Sequence, residues 1–417
     1  MTNAQHDASP FGWWTTASPQ ARKALVAGGG GWMLDGMDVM LYALALNTIA
    51  AEFGLTKEES GRIAAATLFA SAFGGVLFGV LADKIGRVRA LMISILMYSV
   101  CTAMCATATS LWMLIFWRLL VGLGMGGEWA AGSVLIAETW DARHRGKAIG
   151  IMQSGWAIGY LIAAVLAALI IPTWGWRPLF VVGAAPALIV LWIRRHVPES
   201  EAWTQAAENR TGFAASLSIL ARPPYARRVV IACLLTTSLM CAYWGLFSWI
   251  PSFLATPIEK GGAGLSLVNS AKWIIPMQIG AFLGYFSFGF LADWFGRRAI
   301  FVIFTVSAAV LVPIYGLSAR HETVILLLGP LIGFFGHGYF SVFGAMLAEL
   351  FPSSVRATAQ GLCYNFGRGV SAASPWVIGA FADQMGLGTA LAFLGILFLA
   401  GAGIIFLLPN VQGEKLK

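Results

Sequence analysis

Gly79-Val-Leu-Ala-Asp83-Lys-Ile-Gly86-Arg87 returns 210 residues further along the chain as Gly289-Phe-Leu-Ala-Asp293-Trp-Phe-Gly296-Arg297. Each copy is a short charged turn set between two long apolar runs. A second pattern, Glu138 with Arg145, recurs as Glu349 with Arg356 at a spacing of 211. Two unrelated motifs repeated at nearly one offset mark the chain as two copies of one unit. Duplication of a helical membrane unit is a transporter signature, because two halves rocking about a midplane site give alternating access.

Composition supports a membrane setting. The chain has 417 residues, 58% of them hydrophobic and 11% charged, with a mean hydropathy of +0.76. A soluble domain carries about 25% charged residues, so most of this surface has to face lipid. The 48 glycines and 17 tryptophans suit close helix packing and interfacial anchoring. The net charge of +8 sits in short basic clusters between apolar runs. That is a topology signal and gives no reason to expect a nucleic-acid partner. Cys101, Cys105, Cys233, Cys241 and Cys363 all lie in apolar runs without metal-ligand spacing. No metal, cofactor or catalytic triad is indicated, so an enzyme is not expected. The polar residues 1–22 lack an apolar signal core, and the first membrane span itself is expected to direct insertion. Glycines at 28–31 and 122–127 lack the Lys-Ser/Thr of a phosphate loop and read as helix-packing surfaces.

A membrane helix needs about 20 mostly apolar residues. Twelve such runs are predicted, at 24–52, 61–83, 88–108, 111–138, 144–171, 176–195, 228–256, 268–292, 299–319, 323–350, 355–382 and 387–408. The fold class is thus an all-α membrane protein of twelve transmembrane helices. Its domains are a six-helix bundle over 1–195, a cytoplasmic linker at 196–228 and a second six-helix bundle over 229–417. Lys84, Arg87, Arg89, Arg143, Arg145, Arg297, Arg298 and most other loop cations fall on one side, against Lys57, Arg62, Arg177, Lys260, Lys272 and Arg320 on the other. The positive-inside rule then puts both termini in the cytoplasm.

Charges at membrane depth are the functional candidates, since each costs at least ~2.5–3.5 kcal/mol there and needs a cavity or a partner. Asp35 and Asp38 lie near mid-membrane and, three residues apart, share a helix face. Two carboxylates so close in a low-dielectric site do not both ionise easily, so one is suited to carrying a proton. Structural capping or pairing with an arginine is the competing reading. Arg368, also near the middle, suits a bidentate grip on a carboxylate, or else a permanent ion pair with an acid of the other half. Arg118 and Glu128 border the cavity at different depths, or Arg118 instead pairs locally with Asp35 or Asp38. Among amides, Gln153, Gln278 and Asn365 face a cavity or another helix. Tyr42, Trp156, Tyr160, Tyr243, Trp244, Tyr339 and Tyr364 are candidate ring-stacking residues, although membrane aromatics mostly pack or anchor. His337 reads as a satisfied interhelical donor rather than a proton relay.

These residues resemble the major facilitator superfamily over essentially the whole chain. The duplicated Gly-x-Leu-Ala-Asp-x-x-Gly-Arg loop is its most specific signature. Arg118-Leu-Leu-Val-Gly122-Leu-Gly124-Met-Gly126, Pro198-Glu199-Ser200 and Glu349-Leu-Phe-Pro352 also fit. Asp35-Gly36-Met37-Asp38, Trp249-Ile-Pro251-Ser-Phe-Leu and Asn365-Phe-Gly367-Arg368-Gly369 resemble aromatic-acid/proton symporters and related sialate and lactate symporters. The sugar-porter branch fits less well, lacking its glutamine pair and its closing Pro-Glu-Thr-Lys.

The resemblance implies two six-helix bundles around a central cavity and proton-coupled symport of a small organic acid in a bacterial inner membrane, by a monomer. Asp35 and Asp38 would handle protons. Arg368, Arg118, Glu128, Asn365, Gln153, Tyr42, Trp244, Gln278 and Tyr339 would surround the substrate anion. Asp83, Arg87, Glu138, Arg145, Asp293, Arg297, Glu349 and Arg356 would form a cytoplasmic ion-pair gate. The alternative is a uniporter, exporter or symporter of a neutral or cationic solute such as a sugar or drug-like compound, with the acids binding its charge.

Overall fold

The computed structural model of the protein describes residues 12–140, 144–199, 213–351 and 355–409. Twelve membrane-crossing segments follow one another as two six-helix bundles. In the first half they are Pro19–Phe53, Lys57–Ile85, Arg87–Cys105, Leu111–Thr139, Arg145–Trp174, and a sixth made of Trp176–Val182 and Ala187–His196. The second half opens with Tyr225–Phe247 continued by Ile250–Ala255, then Leu267–Phe295 and Arg297–Leu317. Glu322–Gly338 with Phe340–Glu349, Arg356–Ser371 with Ala373–Met385, and Leu387–Ala392 with Leu394–Ile404 complete it. Among the described residues nine segments meet the length and hydropathy of a span on their own. The eighth, tenth and eleventh complete the set.

Local chemistry sets the ends. Ser18 accepts the Ala21 N–H at 3.1 Å and Pro19 opens the first span, both suited to a first turn with unsatisfied donors. Thr56 and Glu59 form a reciprocal capping box at the head of the second span. The duplicated loops are duplicates in backbone as well. Gly86 has φ 108 and Gly296 φ 90, and a residue with a Cβ is strained there. The repeated glycine therefore turns the chain sharply from the second span into the third and from the eighth into the ninth.

Packing repeats with the sequence. The first span lies on the fifth and the second on the fourth, as the seventh lies on the eleventh and the eighth on the tenth. The halves meet where the second span crosses the eleventh and the fifth crosses the eighth. Small residues allow these crossings. A Cβ on Gly159 would strike the Met33 carbonyl, one on Gly122 the Thr67 carbonyl, and one on Gly333 the Met277 carbonyl. In a bilayer, with no hydrophobic force between helices, such close backbone contact is the main source of packing energy. The polarity is inverted relative to a soluble protein. Phe69, Phe73, Leu169, Leu188, Leu327 and Ile396 face outward, while Asp35, Asp38, Arg118, Glu128 and Arg368 are enclosed.

Candidate functional site

Asp35 and Asp38 lie about the middle of the 35-residue first span and are both 0% exposed. Thr102 of the third span donates its hydroxyl to Asp38 Oδ2. Neither oxygen of Asp35 has a hydrogen-bond partner, nor does Asp38 Oδ1. Glu128 of the fourth span is also 0% exposed with both oxygens unpartnered. It lies directly against Gly31, one turn before Asp35, where any side chain would collide with its carboxylate.

The two arginines divide the acids between them. Arg118 acts on Asp38, whereas Arg368 acts on both Asp35 and Glu128. Arg118 is well held: its Nε donates to Thr67 Oγ1 at 3.2 Å and its guanidinium lies 4.7 Å from the Tyr42 ring centroid, a cation–π distance. Tyr42 in turn donates its hydroxyl to the Ser60 carbonyl at 3.1 Å. Arg368 is held by nothing comparable. It is 1% exposed, and among the described residues none of its three nitrogens has a hydrogen-bond partner. A buried guanidinium normally finds partners for its rigid fork of donors. Here the fork is enclosed, with the Asp35 and Glu128 carboxylates within electrostatic reach. Such a group binds a planar anion with two parallel charge-assisted hydrogen bonds.

A cavity of about 20 Å³, lined by Met40, Tyr42, Leu46, Thr67, Arg118 and Trp244, opens beside the Arg118 group. It is large enough for a water molecule and too small for a metabolite. The halves are joined on both sides of the charges. At the end remote from the duplicated loops, the Glu58 N–H donates to Asp383 Oδ2 at 3.0 Å. Trp376 Nε1 donates to Glu58 Oε1 at 3.1 Å, and Ser252 donates to Asn47 Oδ1 at 2.7 Å. On the loop side of the charges, Trp129 of the fourth span stacks on Tyr364 of the eleventh.

Other residues singled out from sequence take varied places. Asn365 donates to the Gly361 carbonyl at 3.0 Å and packs into the hollow left by Gly75 of the other half. Gln153 Oε1 and both amide atoms of Gln278 are enclosed without partners, on the fifth and eighth spans where the halves meet. Trp244 meets Trp156 edge-on across the halves, at 5.8 Å. Tyr339 packs among Phe301, Phe340 and Phe398 and its hydroxyl donates to the Leu239 carbonyl at 3.4 Å, which sets it in the interior of the second half. His337 Nδ1 meets the Gly333 carbonyl at 3.1 Å among Tyr243, Phe247 and Tyr285.

At the duplicated loops, Arg87 pairs with Glu138 at 3.3 Å. Glu199 accepts the backbone N–H groups of Arg87 and Val88, where a helix start favours an anion. Arg297 heads the ninth span. The side chains of Asp83, Arg145, Asp293, Glu349 and Arg356 lie outside the described residues. Trp129 was not among the sequence candidates. Its one available signal was adjacency to Glu128, because a fourth-span tryptophan reads by default as packing.

Comparison with known proteins agrees with this architecture. The family model described as Major Facilitator Superfamily matches residues 30–287, and the model for Sugar (and other) transporter matches 324–417. A protein of Cupriavidus pinatubonensis named "Probable 4-methylmuconolactone transporter" is 36% identical over 409 residues, covering 97% of this chain and 94% of its own. The niacin transporter NiaP of Acinetobacter baylyi is 30% identical over 419 residues, covering 93% of each chain. Among solved structures, that of a D-xylose–proton symporter aligns with a TM-score of 0.78 at 19% identity, covering 95% of this chain and 100% of the other. At that identity the likeness concerns the fold alone.

Proposed function

The chain belongs to the Major Facilitator Superfamily, and on that premise we propose that this transporter carries a small organic acid together with protons by alternating access. The observation that carries the proposal is Arg368, a permanently charged fork of donors, enclosed and without a partner, within reach of Asp35 and Glu128. Arginine keeps its charge throughout a transport cycle, so it serves as an anion anchor and not as a proton carrier. The acids have the complementary property. When a carboxylate substrate approaches Arg368, it competes with Asp35 and Glu128 for the same cation. Protonation of one of them relieves like-charge repulsion in a region that water does not screen. Substrate and proton then load together, and loss of the proton on the opposite side expels the substrate.

The names of the relatives support a carboxylated or lactone-bearing organic solute for this chain. Bundles over 1–195 and 229–417 rock about the charge cluster, with 196–228 as the connection between them. Both termini are cytoplasmic in a bacterial inner membrane. The Arg87–Glu138 pair belongs to the gate on that side, and one chain forms the working unit. One carboxylate with one proton moves no net charge, so the pH difference drives the cycle, at about 1.4 kcal/mol and tenfold accumulation per pH unit.

Uptake of radiolabelled benzoate or nicotinate into proteoliposomes tests this reading. An acidic exterior should stimulate uptake and a protonophore should abolish the stimulation. Uptake indifferent to the proton gradient overturns it. A second reading rests on the excess of acids: three buried carboxylates face two buried arginines among the described residues, which suits a cationic solute. Under that reading an Arg368→Ala variant transports normally.

A further inference from the structure

Two thiols that the transport cycle leaves unused meet on the loop side of the charge cluster. Cys233 of the seventh span and Cys363 of the eleventh are hydrogen-bonded to one another, across 130 positions of sequence. Cys363 also donates to the Val229 carbonyl at 3.9 Å. Val229 lies one turn before Cys233 on the same helix face, so the Cys363 sulfur rests on the face that carries Cys233.

The backbone around them fixes the encounter. A Cβ on Gly367, one turn past Cys363, would overlap Thr236, three residues past Cys233. Further along, Ser374 donates to the Cys241 carbonyl at 2.7 Å. The two spans thus run side by side in register, and side chains that touch on helices so closely packed need little movement to be bridged. Cys233 is half-buried and Cys363 buried, while Val230 and Leu234 beside Cys233 face outward. A small neutral oxidant reaches Cys233 from the lipid, and Cys363 lies behind it. Lone thiols in apolar surroundings are inert, but here a second thiol captures the oxidised sulfur as soon as it forms.

The bond would join two movable pieces. The seventh span breaks after Phe247 and the eleventh after Ser371, so Tyr225–Phe247 and Arg356–Ser371 are separate segments. The second carries Arg368, five residues past Cys363. The first carries Trp244, which meets Trp156 of the other half.

We propose that Cys233 and Cys363 form a redox-sensitive clamp: a peroxide closes them to a disulfide that fastens these two segments together and slows transport, and a thiol reductant reopens it. The Cys233 sulfur attacks the peroxide, forming an S–O bond as O–O breaks, and the departing hydroxide leaves as water with the thiol proton. The Cys363 sulfur then attacks the sulfenic acid; S–S forms, S–O breaks, and a second water leaves with the Cys363 proton. Two thiols together lose two electrons to one hydrogen peroxide. With the segments fastened, Arg368 no longer shifts relative to the seventh span.

Hydrogen peroxide treatment of the purified full chain, followed by digestion and mass spectrometry, is the test. The Cys233 and Cys363 peptides should be joined and two hydrogens lighter, with Cys101, Cys105 and Cys241 linked to neither. The apparent Tm in detergent should rise by at least about 3 °C on oxidation and return with dithiothreitol. Benzoate uptake into proteoliposomes should be mostly lost with peroxide and restored with dithiothreitol. Cys233→Ala and Cys363→Ala each remove the link, and either one that folds should keep its uptake under peroxide. Thiols that stay free, or Cys233 carried on to sulfonate without a link, overturn the inference. A link that leaves uptake at its reduced-state rate also overturns it, as does equal loss of uptake in the alanine variants. Wild-type protein that takes up no benzoate before oxidation fails the carboxylate reading instead, and peptide mapping and melting still decide the clamp.

Discussion

Arg368→Gln separates anchoring from architecture. Among the described residues none of the three guanidinium nitrogens has a hydrogen-bond partner, so the substitution breaks no hydrogen bond there. It also replaces an enclosed cation by a neutral group, and Asp35 and Glu128, which lie within its electrostatic reach, can take up a proton in compensation. The apparent Tm of the empty protein in detergent is therefore expected to stay within about two degrees of wild type or to rise. Substrate binding behaves differently. Each charge-assisted hydrogen bond contributes about 1.5–3 kcal/mol, and removing one partner of a buried, hydrogen-bonded charge pair costs about 2–5 kcal/mol. The KM for benzoate should consequently rise by about thirtyfold to several thousandfold, and the thermal shift given by saturating benzoate should vanish. Paired melting curves and proteoliposome uptake measure both quantities on one preparation. An Arg368→Gln protein that keeps its KM within about threefold of wild type refutes the anchor, since no bidentate grip is worth so little. A protein that fails to assemble refutes the claim that Arg368 is free of structural duties.

Two further outcomes follow from the same geometry. Gly159→Ala should destabilise by about 1–3 kcal/mol, because its Cβ meets the Met33 carbonyl, a backbone atom that cannot yield, whereas Gly150→Ala on the same span meets nothing; thermal melting of the two variants side by side checks the contrast. Asp38→Asn, which retains a side chain within reach of Thr102, should preserve exchange of external for internal benzoate while losing accumulation driven by a proton gradient, and counterflow that fails along with accumulation would assign Asp38 to substrate binding instead.

Much of the architecture was legible in the chain. Hydropathy gave twelve spans, and the recurrence of Gly79 to Arg87 at Gly289 to Arg297 gave the two halves. The structure adds the reason for the repeated glycine, whose positive φ at Gly86 and Gly296 makes the turn possible. Other features lay below what hydropathy can resolve. The tenth and eleventh spans break near Tyr339 and Ala372, beside Gly338 and Pro375, within runs that hydropathy reads as continuous. The pairing of the buried charges was open from sequence, since Arg118 and Arg368 were each compatible with either aspartate.

Composition and periodicity by themselves determined that this chain is an all-α membrane protein, that it is duplicated, and that five charges lie where lipid would exclude them. They did so because the bilayer imposes a one-dimensional constraint: twenty apolar residues cross it, and a charge at a given depth is visible by counting. Only the tertiary structure decided which charges come within electrostatic reach of one another. Arg118 bears on Asp38 and Arg368 on Asp35 and Glu128, and Trp129 comes to rest on Tyr364 across 235 positions of sequence. Those assignments depend on the rotation of each helix about its axis and on close contacts at Gly31 with Glu128, at Gly75 with Asn365 and at Gly159 with the Met33 carbonyl. A residue's depth is written along the chain, but its azimuth is settled only when neighbouring helices pack.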